Sequence, residues 1–345
     1  AKFQENSFIL LPMKKVVVLG GGTGTYSVLA GLKKYPLDIT AIVSMADSGG
    51  SAKKERDEWG LLPVSDVRKA LIALAPEEGR EGMREELLRE LFNYRFSEGV
   101  VMEGTTFGNL FLVALSNILN SQDRAIEEVS RLLRIKGRVL PVTLEETNLV
   151  AEYEEGVVAV GEHSVDEPKH DRRLAIRNVY LLPKVKANPE AVKAIKQADF
   201  IVIGPGDLYT SLLPALLVEG IAGAIKKSKA QGIFVQNLMN KFGQTNGFSA
   251  SRYLAEIANY SDLSFHHVLV NTAPLPPEII RYYATSENSY PVHDDLGEGQ
   301  GFRVFRDNLL SNHNFLPEKG DKLNRSVLRH DPQRLAKSLM KVIGE

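Results

Sequence analysis

Val16-Val17-Val18-Leu19 runs straight into Gly20-Gly21-Gly22-Thr23-Gly24, and helical spacing then takes over with Val28, Leu29 and Leu32. A second apolar run, 39–43, follows. Strand, glycine turn, helix, strand is the opening of a parallel sheet. A parallel strand covered on both faces reads as a continuous apolar run, and both of these do. Bare glycines at such a turn let backbone N–H groups approach an anion with no Cβ in the way. The following helix adds the partial positive charge of its N-terminus. The turn matches neither common phosphate signature. A dinucleotide fingerprint needs glycine at 25 or 27, where Thr25 and Ser27 stand, and a Walker A loop needs Gly-Lys-Ser/Thr. The plain alternative is a tight turn without a ligand.

The α/β rhythm continues with one interruption. Helical patterns cover 66–75, with Ser65 placed to cap it, the heavily charged 82–94, the apolar and therefore buried 109–119, and the amphipathic 123–134. Short strand-like runs at 138–142, 149–153, 157–161 and 176–181 read as an antiparallel insertion spanning 138–181. Within it, the polar stretch 162–173 reads as a mobile loop. Alternation resumes with helix 189–197, strand 200–203, helix 210–226, strand 233–236, helix 249–259, strand 268–270, and helices 277–283 and 332–343. The expected class is α/β, a mostly parallel sheet with a small antiparallel β insertion.

Chemistry is expected where loops leave the carboxyl ends of strands. Asp47-Ser48-Gly49-Gly50-Ser51 follows the second strand. Asp47 there faces the same crevice as the first turn, suited to a ribose hydroxyl or a divalent metal beside phosphates, with Ser48 and Gly49 as further contacts. An Asx turn is the plain alternative. Asp66 divides evenly between capping and function. Asn109, in Thr105-Thr106-Phe107-Gly108-Asn109, is a candidate contact to an anion or carbonyl at a helix start. Gly204-Pro205-Gly206-Asp207, followed by Tyr209 and Thr210, repeats the strand–glycine–helix design in the second half of the chain. Two such loops flanking one crevice suit a ligand with separated polar groups, such as a nucleotide diphosphate. Beyond the next strand, Asn237 and Asn246 offer amides for base or sugar. His266 and His267 adjoin on one strand and face opposite ways. His293-Asp294-Asp295 reads as an exposed loop. Neither a Gly-x-Ser-x-Gly elbow nor a His-Glu-x-x-His helix occurs, so serine-hydrolase and zincin chemistry lack support.

Composition removes other classes. The 345 residues carry 42 basic and 43 acidic side chains, leaving no uniform basic field for nucleic acid or an anionic membrane. The lack of cysteine removes disulfides, Cys zinc sites, iron–sulfur clusters and Cys nucleophiles, and fits a reducing, cytoplasmic address. No segment nears the ~18 consecutive apolar residues of a membrane helix, since Pro214 and Glu219 interrupt the apolar 212–225. Met13-Lys14-Lys15 directly precedes the first strand. Residues 1–12 therefore read as an N-terminal extension and 13–345 as a single α/β domain.

Val17-Val18-Leu19-Gly20-Gly21-Gly22-Thr23-Gly24, Asp38-Ile39-Thr40-Ala41-Ile42-Val43, Ala46-Asp47-Ser48-Gly49-Gly50-Ser51, Gly137-Arg138-Val139-Leu140-Pro141 and Ile203-Gly204-Pro205-Gly206-Asp207-Leu208-Tyr209-Thr210-Ser211 occur in this order. Together they resemble the 2-phospho-L-lactate transferase (CofD-like) superfamily, and within it the bacterial branch of YvcK-type gluconeogenesis factors. The likeness runs from about Met13 to the C-terminus and implies a Rossmann-like, three-layer fold, often dimeric. In the transferase branch a phospholactyl group passes from a guanosine diphosphate-linked donor to a deazaflavin alcohol with Mg²⁺. The regulatory branch binds UDP-sugars, notably UDP-N-acetylglucosamine, and affects carbon use, cell shape and envelope synthesis. Its sugar-nucleotide contacts include a tyrosine and an arginine that match Tyr283 and Arg329. The family pattern is broken where Lys53 and Lys54 replace glycine and arginine, where Thr105 replaces histidine, and along Asn240-Lys241-Phe242-Gly243-Gln244-Thr245-Asn246-Gly247.

The leading expectation is a cytoplasmic, homodimeric regulator that binds a nucleotide sugar, without nucleic-acid or membrane partners. The rival is a phosphotransferase in which Asp47 holds Mg²⁺. The third is a scaffold whose pocket has lost its ligand.

Overall fold

The computed structural model describes residues 13–45, 63–77, 83–97, 104–312 and 327–344. The apolar runs become strands of one sheet. β1 (Lys14–Gly20), β2 (Leu37–Val43), β3 (Arg138–Pro141), β7 (Phe200–Ile203), β8 (Gln231–Val235), β9 (His267–Asn271) and β10 (Arg303–Asp307) lie in the order β10-β9-β8-β7-β1-β2-β3. Every neighbouring pair is parallel. Val16, Val17, Val18 and Leu19 are each at most 2% exposed. Successive strand side chains point to opposite faces, so both faces of β1 are covered and the sheet is the middle of three layers. This is the Rossmann-like α/β class expected from the sequence.

Helix α1 (Gly22–Leu32) leads from β1 to β2. It packs on α2 (Ser65–Leu74) and on the last helix, Pro332–Ile343. That last contact is close: a Cβ on Gly31 would lie 2.0 Å from the Pro332 carbonyl oxygen. Helices α3 (Met83–Asn93), α4 (Phe107–Leu119) and α5 (Gln122–Leu132) follow. α4 is largely apolar yet buries only one face, and Ile118 is 74% exposed. Composition alone marks it as buried; packing on one side only leaves the rest open.

The antiparallel insertion is shorter than 138–181. Residues 138–141 are β3, paired parallel with β2 from Thr40–Arg138 to Val43–Pro141. A four-residue apolar run carries no sign of its partner's direction, which is why sequence places it with its neighbours. The small sheet consists of β4 (Asn148–Tyr153), β5 (Val158–Val160) and β6 (Ile176–Leu182), in the order β5-β4-β6. Leu149, Ala151, Val179 and Leu181 form its buried face. Tyr260 Oη accepts from Val179 N at 3.0 Å and fixes the sheet to the helix Ala250–Ser261. The stretch 162–173 is not a plain loop, because Glu162–Asp166 forms a short helix, α6.

The helix expected over 210–226 is broken. A π turn, Leu208–Leu212, is followed by Leu213–Leu216 and then by Ile221–Lys227. Pro214 withholds a backbone N–H, and Gly220 at φ 102° turns the chain between the last two pieces. β10 escapes the sequence reading because charged Arg303, Arg306 and Asp307 flank its apolar pair, as suits a sheet edge.

Candidate functional site

β1 and β7 are neighbours, with Leu19 opposite Ile203. The chain therefore leaves both strands at the same height. From β1 the sheet grows outward to β2 and β3; from β7 it grows the other way, to β8, β9 and β10. Loops that diverge at such a switch point leave a crevice at the carboxyl ends of the strands. Here both glycine turns open into it. Gly22 has φ +68°, a conformation glycine takes without strain. A Cβ on Gly24 would lie 2.0 Å from the Pro205 carbonyl oxygen, so the two turns touch backbone to backbone. Asn237, at the end of β8, pins the second turn: its Oδ1 accepts from Gly206 N at 3.2 Å and its Nδ2 donates to Gly206 O at 2.8 Å. The cleft measures about 560 Å³, a size that suits a nucleotide-like ligand.

Gly21, Gly22, Thr23 and Gly24 line one wall; Pro205, Gly206, Asp207, Thr210 and Asn237 line the facing one. Tyr283 and Arg329 also border the cleft. Tyr283 is buried, and its hydroxyl accepts from Val327 N at 2.8 Å and Leu328 N at 3.2 Å. It thus positions the segment that presents Arg329. Gly20 and Gly204 lie at the strand ends beneath the turns, outside the lining. Their positive φ angles of 151° and 80° shape the turns.

Other expected contacts point elsewhere. Tyr209 is buried and donates to the Glu256 carboxylate at 2.8 Å. Asn109 is 1% exposed; it accepts from Arg68 Nε at 2.9 Å and donates to Ser65 Oγ at 3.3 Å. Its helix start faces inward rather than toward the crevice. Asn246 accepts from Gly243 N at 2.8 Å and donates to Arg172 O at 3.1 Å, which folds the loop after β8 against the insertion. Thr105 is buried away from the cleft. Asp47, Ser48, Gly49, Lys53 and Lys54 lie outside the described residues. Tyr209→Phe and Asn109→Ala should each cost about 1–3 kcal/mol of stability through a stranded buried partner. Chemical denaturation alongside ligand titration checks that cleft affinity stays put.

The cleft also holds Asp66, divided between capping and function in the sequence, and Asp166 and Lys241, which the sequence reading does not offer as contacts. Asp66 lies over Gly21, where a Cβ would meet its Oδ2 at 2.2 Å, and its Oδ1 accepts from Lys69 Nζ at 2.9 Å. The Lys241 ammonium sits between Asp207, at 2.8 Å, and Asp166 of α6, which it also bonds. Thr210 Oγ1 and Gln244 Nε2 each donate to Asp166 Oδ1 at 3.3 Å. Burial works against the charge on Lys241, but Asp207 and Asp166 outweigh it and hold its pKa well above the usual lysine value. No local pattern in 162–173 marks Asp166 as a cleft residue, since only the folding of the insertion over the sheet brings it there. Lys241 carries a signal: it stands inside a segment already notable for its amides, where a cation is out of character.

The fold family implies a divalent metal in its transferase branch. Among the described residues, no group of three or more His, Asp or Glu side chains is arranged to hold one. Asp66 is the described acid beside the phosphate-type turn, and it already faces Lys69. The described donor set does not fit a metal.

His330 lines the cleft and is 6% exposed, with Nε2 unpartnered among the described residues. Burial pushes its pKa down to about 4, against a hydrogen bond to the Gln236 backbone that favours the charged form. Its folded value lies below the unfolded one near 6.5, so the unfolded chain binds the extra proton first. Stability should fall as pH drops from about 6.5 to about 4, by up to about 3 kcal/mol from this group. Urea unfolding across that window checks this: His330→Gln should show a shallower slope than the unaltered chain.

The family model described as 2-phospho-L-lactate transferase CofD matches residues 16–310. The putative gluconeogenesis factor of Nostoc sp. is 42% identical over 96% of this chain and 69% of its own length. The gluconeogenesis factor of Bacillus subtilis is 36% identical over 96% of this chain and 98% of its own. A crystal structure from Bacillus halodurans, described as a upf0052 family member, superimposes with a TM-score of 0.84 at 36% identity, covering 96% of this chain and 99% of that one. Matched along nearly its whole length, the chain belongs to the 2-phospho-L-lactate transferase CofD family and, within it, to the gluconeogenesis factors.

Proposed function

We propose that this gluconeogenesis factor is a cytoplasmic regulator that binds a nucleotide sugar of the UDP-N-acetylglucosamine type. The observation that carries the reading is the contact of the two glycine turns at the switch point of the sheet, Gly24 against Pro205. Backbone N–H groups of the first turn, and of the second turn beyond Gly206, whose own N–H is held by Asn237, would hold the diphosphate. Arg329, positioned through Tyr283, would add a charge-assisted bond. Thr23 would offer a hydroxyl to the ribose, while Asn237 and Thr210 have only the capacity left beyond their bonds to Gly206 and Asp166. The same reading links the protein to carbon use, cell shape and envelope synthesis, as a homodimer. Titration calorimetry with UDP-N-acetylglucosamine tests it. Saturable heat below millimolar ligand is expected; folded protein that gives none at millimolar ligand would count against the reading.

The second reading is group transfer to a deazaflavin alcohol from a guanosine diphosphate-linked donor. Asp66 favours it, because its carboxylate beside Gly21 could take the proton of an attacking hydroxyl at the first turn. Release of GMP in the presence of a deazaflavin acceptor would support transfer over regulation.

A further inference from the structure

We infer that Asp166, Lys241 and Asp207 form a subsite for a neutral, hydroxyl-bearing sugar and exclude sugars that carry a carboxylate. This deepens the nucleotide-sugar reading and rests on it.

Lys241 Nζ bridges one oxygen of each carboxylate, Asp166 Oδ1 and Asp207 Oδ2. Asp166 Oδ1 is further loaded by Thr210 and Gln244. The other oxygens, Asp166 Oδ2 and Asp207 Oδ1, take no hydrogen bond from the described residues, and both residues line the cleft. The triad therefore offers two charged acceptors held in place by a shared ammonium, and the third N–H of Lys241 remains as a donor. Charged acceptors beside a donor match the alternating donors and acceptors of sugar hydroxyl groups.

Charge sorts the ligand along the cleft. Two carboxylates against one ammonium leave a net negative charge, and of the charged side chains that the insertion adds around them, Glu162 and Glu167 outnumber Arg172. Glu287 borders the same space, and burial raises its pKa, Lys241 opposing and the Asp207 charge adding to the rise. An anion placed here meets repulsion, whereas the bare backbone of Gly22 and Gly24 attracts one, with Lys69 offsetting the Asp66 carboxylate over Gly21. Asp207 follows Gly206 directly, so the subsite begins where the proposed diphosphate cradle ends. A diphosphate thus settles on the turns and the neutral end of the ligand on the triad. Specificity comes from the repulsive element as much as from the attractive one.

The probes are UDP, UDP-glucose and UDP-glucuronate, which differ only at the far end. Calorimetry on the full chain should give UDP-glucose an affinity at least about tenfold above that of UDP-glucuronate. Asp166→Asn keeps the shape and removes one charge, so the ratio should shrink to about threefold or less. Asp207→Asn is the second variant, used should Asp166→Asn fail to fold. Reading a ratio cancels changes in shared nucleotide contacts. Equal affinity for the two sugar nucleotides, with UDP binding intact, overturns the subsite and leaves the nucleotide reading standing; this is also the result if the triad reads ribose. An unchanged ratio in both variants overturns it as well. No heat from any of the three probes overturns the nucleotide reading and the subsite together.

Discussion

Gly24→Val should remove nucleotide-sugar binding, weakening it by more than about tenfold, and should destabilise the chain. The Cβ of even an alanine would meet the Pro205 carbonyl oxygen at 2.0 Å and its carbon at 2.6 Å. Both neighbours are backbone, anchored by β7 and by the Asn237 clamp on Gly206. No side chain can swing aside, so one turn must move away from the other. Overpacking of this kind costs about 1–3 kcal/mol for small additions, with alanine at the low end and valine above it. Gly31→Ala is the control. Its Cβ would lie 2.0 Å from Pro332 O, between α1 and the last helix, on the far side of α1 from its N-terminal turn. It should lose comparable stability and keep its affinity. Thermal melts with and without UDP-N-acetylglucosamine separate the two: the ligand-induced rise should vanish in Gly24→Val and persist in Gly31→Ala.

Lys241→Met should produce the second large effect. It leaves Asp166 and Asp207 facing each other without the ammonium that both contact. Breaking a partly buried pair by removing one partner costs several kcal/mol in full burial. With the lysine side chain 32% exposed, about 1–3 kcal/mol is expected here. The pH response carries the signature. Two facing carboxylates without their cation bind a proton more readily folded than unfolded, so the variant should recover stability relative to the unaltered chain as pH falls from neutral toward 4. The deficit relative to the unaltered chain should therefore be largest near pH 7. A deficit that stays constant with pH would point to lost packing alone.

Much of the fold was legible because parallel strands announce themselves. Val16 to Leu19 and Phe200 to Ile203 are uniformly apolar and uniformly buried. The glycine turns after them are legible for a related reason: few residues tolerate the conformation at Gly22 or the closeness at Gly24. The repeated design points to two loops flanking one crevice, and the pairing of β1 with β7 at Leu19–Ile203, which sequence does not indicate, brings them together. What stayed hidden depends on long-range packing. Residues 138–141 look the same in a parallel or an antiparallel partnership. Asn109 and Tyr209 sit at helix starts of the right kind, yet their side chains are taken up by Arg68 and Glu256. Asp166 reaches the cleft only because the small sheet folds down over the loop after β8, through Asn246 to Arg172 and Lys241 to Asp166.

In the proposed function, two turns, one from each half of the chain, grip a single diphosphate. A crystal structure with UDP-N-acetylglucosamine tests it most directly. The diphosphate is expected between Gly22 and Gly206, within hydrogen-bond distance of backbone N–H groups from both turns. Density for the diphosphate against only one turn, or away from the β1–β7 crevice, would contradict it.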